Sequence, residues 1–380
     1  MFKILKKSKI SNARLGIIKT SHGDIKTPFF MPDATQAVIR NLSNEDLRAL
    51  KLDALVINTY HLFLQPGMEI IKKSKGAHNF MNWQRPILSD SGGYQVFSLI
   101  HKNKANGIIT DNKVIFKSPL NGAKCELTPE KSIQIQFNLG ADMIVVLDDC
   151  PPNNYKESQI SQAVDRTVLW AKRCVIEFNK QIKKRCLTEK NQSMLFAVIQ
   201  GGANKKLRQL CAKELIKMNF SGYGFGARPV DSNGKFLKDV LQFTANLIPE
   251  NKLRFGLGIG LPEDIVNCAR MGWDMFDCVI PTREGRHGRL FYSLLKNRIA
   301  VDKQNFYKTI NITNAKFAKD FSAINPASDL QMLKKYSRAY LHHLFKINDQ
   351  LAGRLASLNN LEFYIKLIIE IRFMISANKL

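Results

Sequence analysis

Residues 276–289 read FDCVIPTREGRHGR, and the interpretation of the whole chain starts from them. The apolar run around Asp277 has the character of a short buried strand, and Pro281 ends it. Arg283 and Arg286 follow within a few positions. A carboxylate beside clustered arginines can act as an anionic nucleophile that faces a phosphate-rich substrate. An aspartate that caps a turn before a solvated basic loop would leave the same pattern, so the surrounding chain has to decide.

Apolar, strand-like runs alternate with helix-like segments upstream of this stretch, which is the pattern of a parallel α/β domain. The runs include ALVINTYHL (54–62), PILSD (86–90), MIVVLDDC (143–150), LFAVIQGG (195–202), GYGFGARPV (222–230) and RFGLGIGLP (254–262). Six candidate strands end in residues that can bind or react, namely Asn58, Asp90, Asp148, Gln200, the glycines of 224–226, and Asp277. A TIM barrel builds its active site at the carboxyl ends of its strands, so these endings predict a site there.

A doubly wound sheet would show the same alternation of strands and helices. The barrel is preferred because no G-x-G-x-x-G turn follows the first strand, and because the polar endings are spread over the whole domain. We therefore predict an α/β fold in which residues 1–305 form a TIM (β/α)8 barrel with N-terminal strands and a hairpin insertion near 103–127. Residues 306–380 are predicted to form an inserted or C-terminal helical subdomain.

The charge balance is strongly basic, with 57 Lys and Arg against 32 Asp and Glu and a formal net charge of +25. A surplus of this size favours a polyanionic partner, most often a nucleic acid. The chain is also rich in lysine, isoleucine and asparagine, so part of the surplus could be compositional drift without a ligand.

Seven scattered cysteines form no C-x-x-C pair, which argues against a disulfide framework and against a compact zinc site. Their use fits a reducing cytosol. The N-terminus, MFKILKKSKI, is basic but lacks the apolar segment of a secretory signal. The late run LEFYIKLIIEIRFMI (361–375) carries four charges and is predicted to be a packed helix and not a membrane span. We predict a cytoplasmic protein without a membrane partner.

Two aspartates at strand ends suggest the chemistry. Asp90 precedes Ser-Gly-Gly, a sequence that permits a tight turn, and Asp277 lies in the opening stretch. Paired carboxylates can divide the work at an anomeric carbon, one attacking and the other moving protons. Asp148 ends a very apolar strand and needs a partner, because an unpaired buried charge is costly. A purine-like base would satisfy Asp148 and Gln200, although an Asx turn at Asp90 and a salt bridge at Asp148 remain structural alternatives.

Seven motifs in order resemble the tRNA-guanine transglycosylase (queuine tRNA-ribosyltransferase) family over nearly the whole chain. They are NTYHL, SDSGGYQVFSL, LTPEKSIQIQ, LDDC, IQGG, DMFDCVIPTR with RHG, and SRAYLHHLF. The resemblance implies a TIM barrel with an inserted C-terminal subdomain. It also implies an enzyme that replaces the wobble guanine of GUN-anticodon tRNAs with a 7-deazaguanine, queuine or its aminomethyl precursor, on the route to queuosine.

The resemblance implies a role for each matching residue. Asp277 is similar to the nucleophile that attacks the ribose anomeric carbon, and Asp90 to the general acid/base. The implied base-binding residues are Tyr94, which stacks on the base, Asp148 and Gln200, which bind its edge, and Ala227 and Leu257 in the pocket wall.

The remaining implications concern the partners. Arg283 and Arg286 are similar to residues that contact nucleotides flanking the wobble base in the tRNA anticodon loop. The family also implies a free base as second substrate, a homodimer and no cofactor for the chemistry. The segment SRAYLHHLF, with Tyr336 and Tyr340, is a candidate for the dimer interface or for plain core.

The chain departs from the family pattern at three places. The family's structural zinc is held by a C-x-C-x-x-C run and a histidine, and these positions here read Ser328, Leu330, Leu333 and Asn359, so we predict that this zinc is absent. The base-pocket loop reads GARPVDS (226–232), which lacks the acid that follows Val-Gly in the family. This change tilts the expected preference slightly towards queuine, or towards a relaxed choice of base. At residues 33–35 the chain reads Asp-Ala-Thr where the family reads Val-Gly-Thr, and the resemblance assigns that change no role.

Two other classes of function compete with the enzyme. A non-catalytic tRNA-binding subunit or degenerate paralogue would account for the altered zinc positions and pocket loop. Such a chain would have no need for buried strand-end acids such as Asp90, Asp148 and Asp277. A sugar isomerase or aldolase barrel would need a metal cluster or a Schiff-base lysine at a strand end, and no predicted strand end offers one.

Overall fold

The computed structural model describes residues 1–152, 154–231, 233–295 and 298–380. Within these ranges eight parallel strands form one barrel. Their bounds are β4 (Phe29–Pro32), β5 (Leu55–Ile57), β6 (Ile87–Ser89), β10 (Met143–Val145), β11 (Met194–Ile199), β12 (Gly222–Phe225), β13 (Leu253–Gly256) and β14 (Met275–Cys278). The order is β4-β14-β13-β12-β11-β10-β6-β5, and a parallel bridge between Asp33 and Val56 joins the two end strands. The predicted α/β TIM barrel is confirmed.

Alternate side chains of the barrel strands point inward and fill the interior. The buried inner cluster includes Phe29, Phe196, Phe255 and Met275, which are at most 1% exposed. An antiparallel sheet at the N-terminus adds side chains to the same cluster and covers the amino ends of the strands. Its strands are β1 (Phe2–Lys7), β2 (Arg14–Thr20) and β3 (Gly23–Thr27). Because that end is covered, only the carboxyl ends of the barrel strands remain open for a site.

Helices surround the barrel and fill the connections between its strands. Their bounds are α1 (Asn44–Ala49), α2 (Thr59–Leu64), α3 (Met68–Lys73), α4 (Ala77–Met81), α5 (Gly93–Lys102), α6 (Pro129–Leu139), α7 (Glu157–Lys184), α8 (Lys205–Ile216), α9 (Lys238–Leu247), α10 (Pro262–Arg270) and α11 (Ile280–Arg286). Two of these helices begin at side-chain caps: the Ser43 side chain accepts from the Asp46 amide, and the Thr128 side chain accepts from the Lys131 amide.

One predicted strand is too long. The run 54–62 is predicted to be a buried strand that ends in Asn58 and Tyr60, but the strand ends at Ile57 and a helix begins at Thr59. The cause is Asn58, whose side chain accepts a hydrogen bond from the His61 amide and so caps α2. The same turn brings the Asn58 side chain to the mouth of the barrel.

The segment near 103–127 forms a small antiparallel sheet of three strands within the described residues. These are β7 (Gly107–Ile109), β8 (Val114–Lys117) and β9 (Lys124–Leu127). The C-terminal part contains β15 (Arg289–Ser293), β16 (Tyr307–Asn311), α12 (Gln331–Lys335), α13 (Arg338–Lys346) and α14 (Gln350–Ser376). Strands β15 and β16 pair with one another, so the predicted division after residue 305, which stays a prediction, would separate two paired strands.

Helix α14 includes the predicted packed helix over 361–375 and lies across α11 and β15. The Asn360 side chain donates to the backbone oxygens of Pro281 and Arg289, and the Tyr364 hydroxyl donates to the backbone oxygen of Gly260. The last helix therefore braces the stretch that follows Asp277. None of the helices formed by the described residues is both long and apolar enough to cross a bilayer.

Candidate active site

A cavity of about 430 Å³ opens at the carboxyl ends of the barrel strands. Every residue proposed from the sequence for base binding or chemistry lines it, and so does one of the two arginines: Asp90, Tyr94, Asp148, Gln200, Ala227, Leu257, Asp277 and Arg283. Because these residues come from six different strand ends, the closed barrel is what brings them together.

Asp277 lies in the last barrel strand, β14, with its carboxyl at the floor of the cavity. The backbone N–H of Gly258, at the end of β13, donates to its Oδ1 at 3.0 Å. Burial raises the pKa of Asp277 to about 6, and the Gly258 hydrogen bond opposes that rise. The carboxylate is therefore largely ionised at neutral pH. Among the hydrogen bonds that other described residues donate, only that of Gly258 reaches it, so one oxygen is open for attack.

Asp90 follows β6, and three groups from neighbouring turns hold its carboxyl. The backbone N–H groups of Thr59 and Gly92 donate to Oδ1 at 3.0 and 3.1 Å, and the Asn58 side chain donates to Oδ2. Burial raises the pKa of Asp90 to about 7, and the charge of Asp277 adds to the rise. A group that titrates near neutral pH is suited to give and take protons.

Asp148 and Gln200 form a buried pair on the wall built by β10 and β11. Gln200 Nε2 donates to Asp148 Oδ2 at 2.7 Å, and burial raises the pKa of Asp148 to about 6. The Gln200 Oε1 atom is buried and has no hydrogen-bond partner within the described ranges. A buried acceptor without a donor is costly, so this pair is built to receive the N–H groups of a ligand. Within the described residues Asp148 is hydrogen-bonded to Gln200 and to the Ser91 hydroxyl, and not to a lysine.

The other three predicted pocket residues occupy the walls and the rim. Tyr94 lies in the first turn of α5 and is 52% exposed, so its ring is free to lie against a planar ligand. Leu257 packs partly against the barrel interior beside the Gly258 amide. Ala227 has a φ of 87°, a left-handed conformation that favours glycine. It follows β12 and presents backbone to the cavity, so the pocket loop keeps its close approach although it carries a side chain.

Arginines gather at the rim beside the cavity. Arg283 lines the cavity, and Arg286 lies one turn later on α11. Burial, then Arg40, then Arg283 lower the pKa of Arg286, which places three guanidinium groups near one another. Sequence reasoning found the two on α11 and missed Arg40, because only the fold brings the loop after β4 to this rim. Such a cluster suits phosphate groups.

A sequence profile of the queuine tRNA-ribosyltransferase family matches residues 9–380. The chain is 41% identical over 379 residues to the queuine tRNA-ribosyltransferase of Halothermothrix orenii, with 100% of this chain and 94% of the relative covered. It belongs to the queuine tRNA-ribosyltransferase family. The relative from Lysinibacillus sphaericus is also 41% identical, with 100% and 93% covered, and that from Staphylococcus haemolyticus is 39% identical over 376 residues, with 99% and 92% covered.

Buried polar groups and leucines stand at the four positions where the resemblance places the zinc ligands of the queuine tRNA-ribosyltransferase family. Ser328 Oγ and the Asp329 amide each donate to the Glu362 carboxylate at 2.5 Å, and Asn359 Oδ1 accepts from Asn325 at 2.9 Å. Leu330 is partly buried and Leu333 fully buried against the core. This set contains no thiolate or imidazole, so it does not fit a tetrahedral zinc.

Arg208 is a further residue that sequence reasoning missed at this site. Its guanidinium is fully buried and donates to the backbone oxygens of Gly202, Ile199 and Gly226 at 2.7, 3.0 and 2.7 Å. Burial lowers the pKa of Arg208 to about 9. The side chain thus joins the turn after Gln200 to the turn that carries the pocket loop. Ser232, at the end of the predicted loop 226–232, lies outside the described residues.

Proposed function

We propose that this chain replaces the wobble guanine of GUN-anticodon tRNAs with a 7-deazaguanine, queuine or its aminomethyl precursor, through a covalent Asp277–ribose intermediate. The observation that carries the proposal is one cavity in which two carboxyls of different strands, Asp277 and Asp90, face a third wall formed by Asp148 and Gln200. Because the chain belongs to the queuine tRNA-ribosyltransferase family, we assign base exchange to this cavity.

The base edge is assigned to Asp148 and Gln200. Guanine and 7-deazaguanines present ring and exocyclic N–H donors, which match the Asp148 carboxylate and the unpartnered Oε1 of Gln200. Tyr94 stacks on one face of the base, and Ala227 and Leu257 line the wall beside it. The target base must leave the anticodon stack to enter this cavity, as in other enzymes that act on a base.

The exchange then runs in two displacements. An ionised Asp277 oxygen attacks the anomeric carbon, the glycosidic bond breaks, and the departing guanine takes a proton from Asp90. The incoming base gives its ring proton to Asp90, attacks the same carbon and releases Asp277. Each carboxyl ends in its starting state, and one hard exchange becomes two easier steps.

The tRNA is held by the basic rim. Arg283 and Arg286, together with Arg40, face nucleotides that flank the wobble base. They suit the phosphates of an anticodon loop, and the +25 net charge extends the attraction to the rest of the tRNA.

A further proposal concerns assembly. Tyr336 and Tyr340 stack with ring centroids 5.2 Å apart and are each 39% exposed, which supports a homodimer interface at α13. Tyr336→Arg should then give a monomer by light scattering, and an unchanged mass would argue against this surface.

The C-terminal subdomain is proposed to hold no zinc, because hydrogen bonds and leucine packing replace the ligands. All seven cysteines lie within the described ranges as free thiols, which supports a reducing, cytoplasmic setting.

The deciding experiment measures radiolabelled guanine exchange into a GUN-anticodon transcript by the wild type, Asp277→Asn and Asp90→Asn. Asp277→Asn should abolish exchange and the protein–RNA adduct on a denaturing gel. The exposed carboxyl Asp24, at the opposite end of the barrel, gives the matched control Asp24→Asn, which should keep full activity. A wild type that binds the transcript without exchanging guanine would instead establish the non-catalytic subunit.

A further inference from the structure

Asp33 lines the cavity together with Asp277, yet the proposed function gives it no role. It comes directly after β4, which pairs with β14 in a parallel register that places Met31 opposite Asp277. Side chains alternate along a strand, so Asp33, two residues after Met31, points into the barrel from the same face and lies one layer nearer the mouth.

The barrel order places Asp33 on the sugar side of the cavity. In the ring β4-β14-β13-β12-β11-β10-β6-β5, β4 and β11 are four strands apart and therefore face each other. Gln200 follows β11, and Asp148 follows the next strand, β10. A base whose edge lies against that wall directs its glycosidic bond towards β14 and β4. The ribose then lies between Asp277 and Asp33.

The Asp33 carboxyl is available to such a ligand. It is partly exposed and lines the cavity, and no residue in the described ranges donates a hydrogen bond to it. Burial, then the charges of Asp277 and Asp90, raise the pKa of Asp33 well above its ordinary value. A carboxyl in this position can accept a hydrogen bond from a hydroxyl, and its protonated form, which the raised pKa favours, can donate one as well.

We infer that Asp33 binds the ribose of the target nucleotide by a hydrogen bond to its 2′-hydroxyl, the group next to the carbon that Asp277 attacks. The inference rests on the proposed function and adds a sugar contact to it. Where the motif of the queuine tRNA-ribosyltransferase family reads Val-Gly-Thr, an apolar residue takes this position and offers no such hydrogen bond. The contact therefore depends on Asp33, which replaces the valine of the motif in this chain. It should make the enzyme more selective for a ribonucleotide at the exchanged position.

The test uses two anticodon stem-loops that differ only in guanosine or 2′-deoxyguanosine at the wobble position. The kcat/KM of guanine exchange is measured on both for the wild type, Asp33→Val, Asp33→Asn and the control Asp24→Val. Removing one hydrogen bond to a neutral group is worth about tenfold. Asp33→Val should lose about tenfold on the ribonucleotide and little on the deoxynucleotide, while Asp24→Val should leave both rates unchanged.

The comparison of ratios cancels the intrinsic effect of the hydroxyl on the chemistry, because both enzymes meet the same two sugars. Equal losses on the two substrates, or no loss on either, would overturn the contact between Asp33 and the hydroxyl. Asp33→Asn keeps both a donor and an acceptor and should keep the wild-type ratio. If Asp33→Val does not fold, as judged by its thermal transition, Asp33→Ala decides by the same ratio. A wild type that exchanges guanine into neither stem-loop would refute the proposed function itself.

Discussion

Replacing Arg208 by methionine should destabilise the two turns that form the base pocket while leaving tRNA binding intact. The side chain keeps its length and loses three donated hydrogen bonds. The Ile199 oxygen still accepts from the Gly226 amide, but the oxygens of Gly202 and Gly226 lose the partner that the structure shows for them. A buried carbonyl without a partner costs about 1–3 kcal/mol, so Arg208→Met should lower the free energy of unfolding by about 2–6 kcal/mol.

Arg208→Met should weaken the binding of guanine but not that of tRNA. Because Arg208 joins the turn after Gln200 to the loop of Ala227, the KM for guanine should rise at least tenfold, while the KM for tRNA stays within about twofold. Urea denaturation and steady-state guanine exchange measure the two effects. Arg208→Lys keeps a charge but not the three-way contact, and should fall between the wild type and Arg208→Met.

Arg173 provides the matched control, since it also donates to backbone oxygens but lies on α7 away from the cavity. Arg173→Met should leave the KM for guanine unchanged. A loss of under about 1 kcal/mol in Arg208→Met, a small fraction of the 2–6 kcal/mol expected, would contradict the bridging role of Arg208. A KM for tRNA that rose as much as that for guanine would contradict it equally.

Three further outcomes follow from the same site. The rate of exchange should be bell-shaped in pH, rising as Asp277 ionises through about 6 and falling as Asp90 loses its proton above about 7; a rate that is flat from pH 5 to 9 would contradict these roles. Since the folded pKa of Asp277 exceeds its ordinary value of 3.8, its stabilising contribution is present below that value and is lost as pH rises through about 6. Asp277→Asn should therefore unfold at a higher temperature than the wild type at pH 8 but not at pH 4, and a lower melting temperature at pH 8 would count against it. A Cβ on Gly226 would lie 2.5 Å from Gln200 Cδ and 2.7 Å from the Ile199 oxygen, so Gly226→Ala should raise the KM for guanine by tenfold or more, whereas Gly234→Ala, in open space, should not.

Much of the barrel could be predicted because most of its strands can be recognised from their own residues. A strand that is an apolar run with a polar residue at its end can be recognised without knowing which strands lie beside it. The strand ends predicted in this way at Asp90, Asp148 and Gln200 all lie at the cavity. The extended run through Tyr60 was wrong because a single side chain, Asn58, accepts the hydrogen bond that starts a helix. Local apolarity cannot distinguish a buried helix from a buried strand.

The residues that were missed act across long separations in the chain. Arg208 is one of several basic residues in its helix, and only the fold shows that its guanidinium meets backbone oxygens of two different turns. Arg40 reaches the rim from a loop far from α11. Asp33 did leave a trace, since it departs from the motif of the queuine tRNA-ribosyltransferase family. Its meaning required the register that sets β4 beside the strand of Asp277.

The brace formed by α14 has a consequence for how the enzyme is made. The stretch that carries Asp277 leaves the ribosome well before Asn360 and Tyr364, the side chains that hold the turns around it. A nascent chain can therefore close most of its barrel while the segment beside the nucleophile still lacks its support. We expect a protein that gains its activity only on completion, and chains cut short before the last helix should be folded in part but inert.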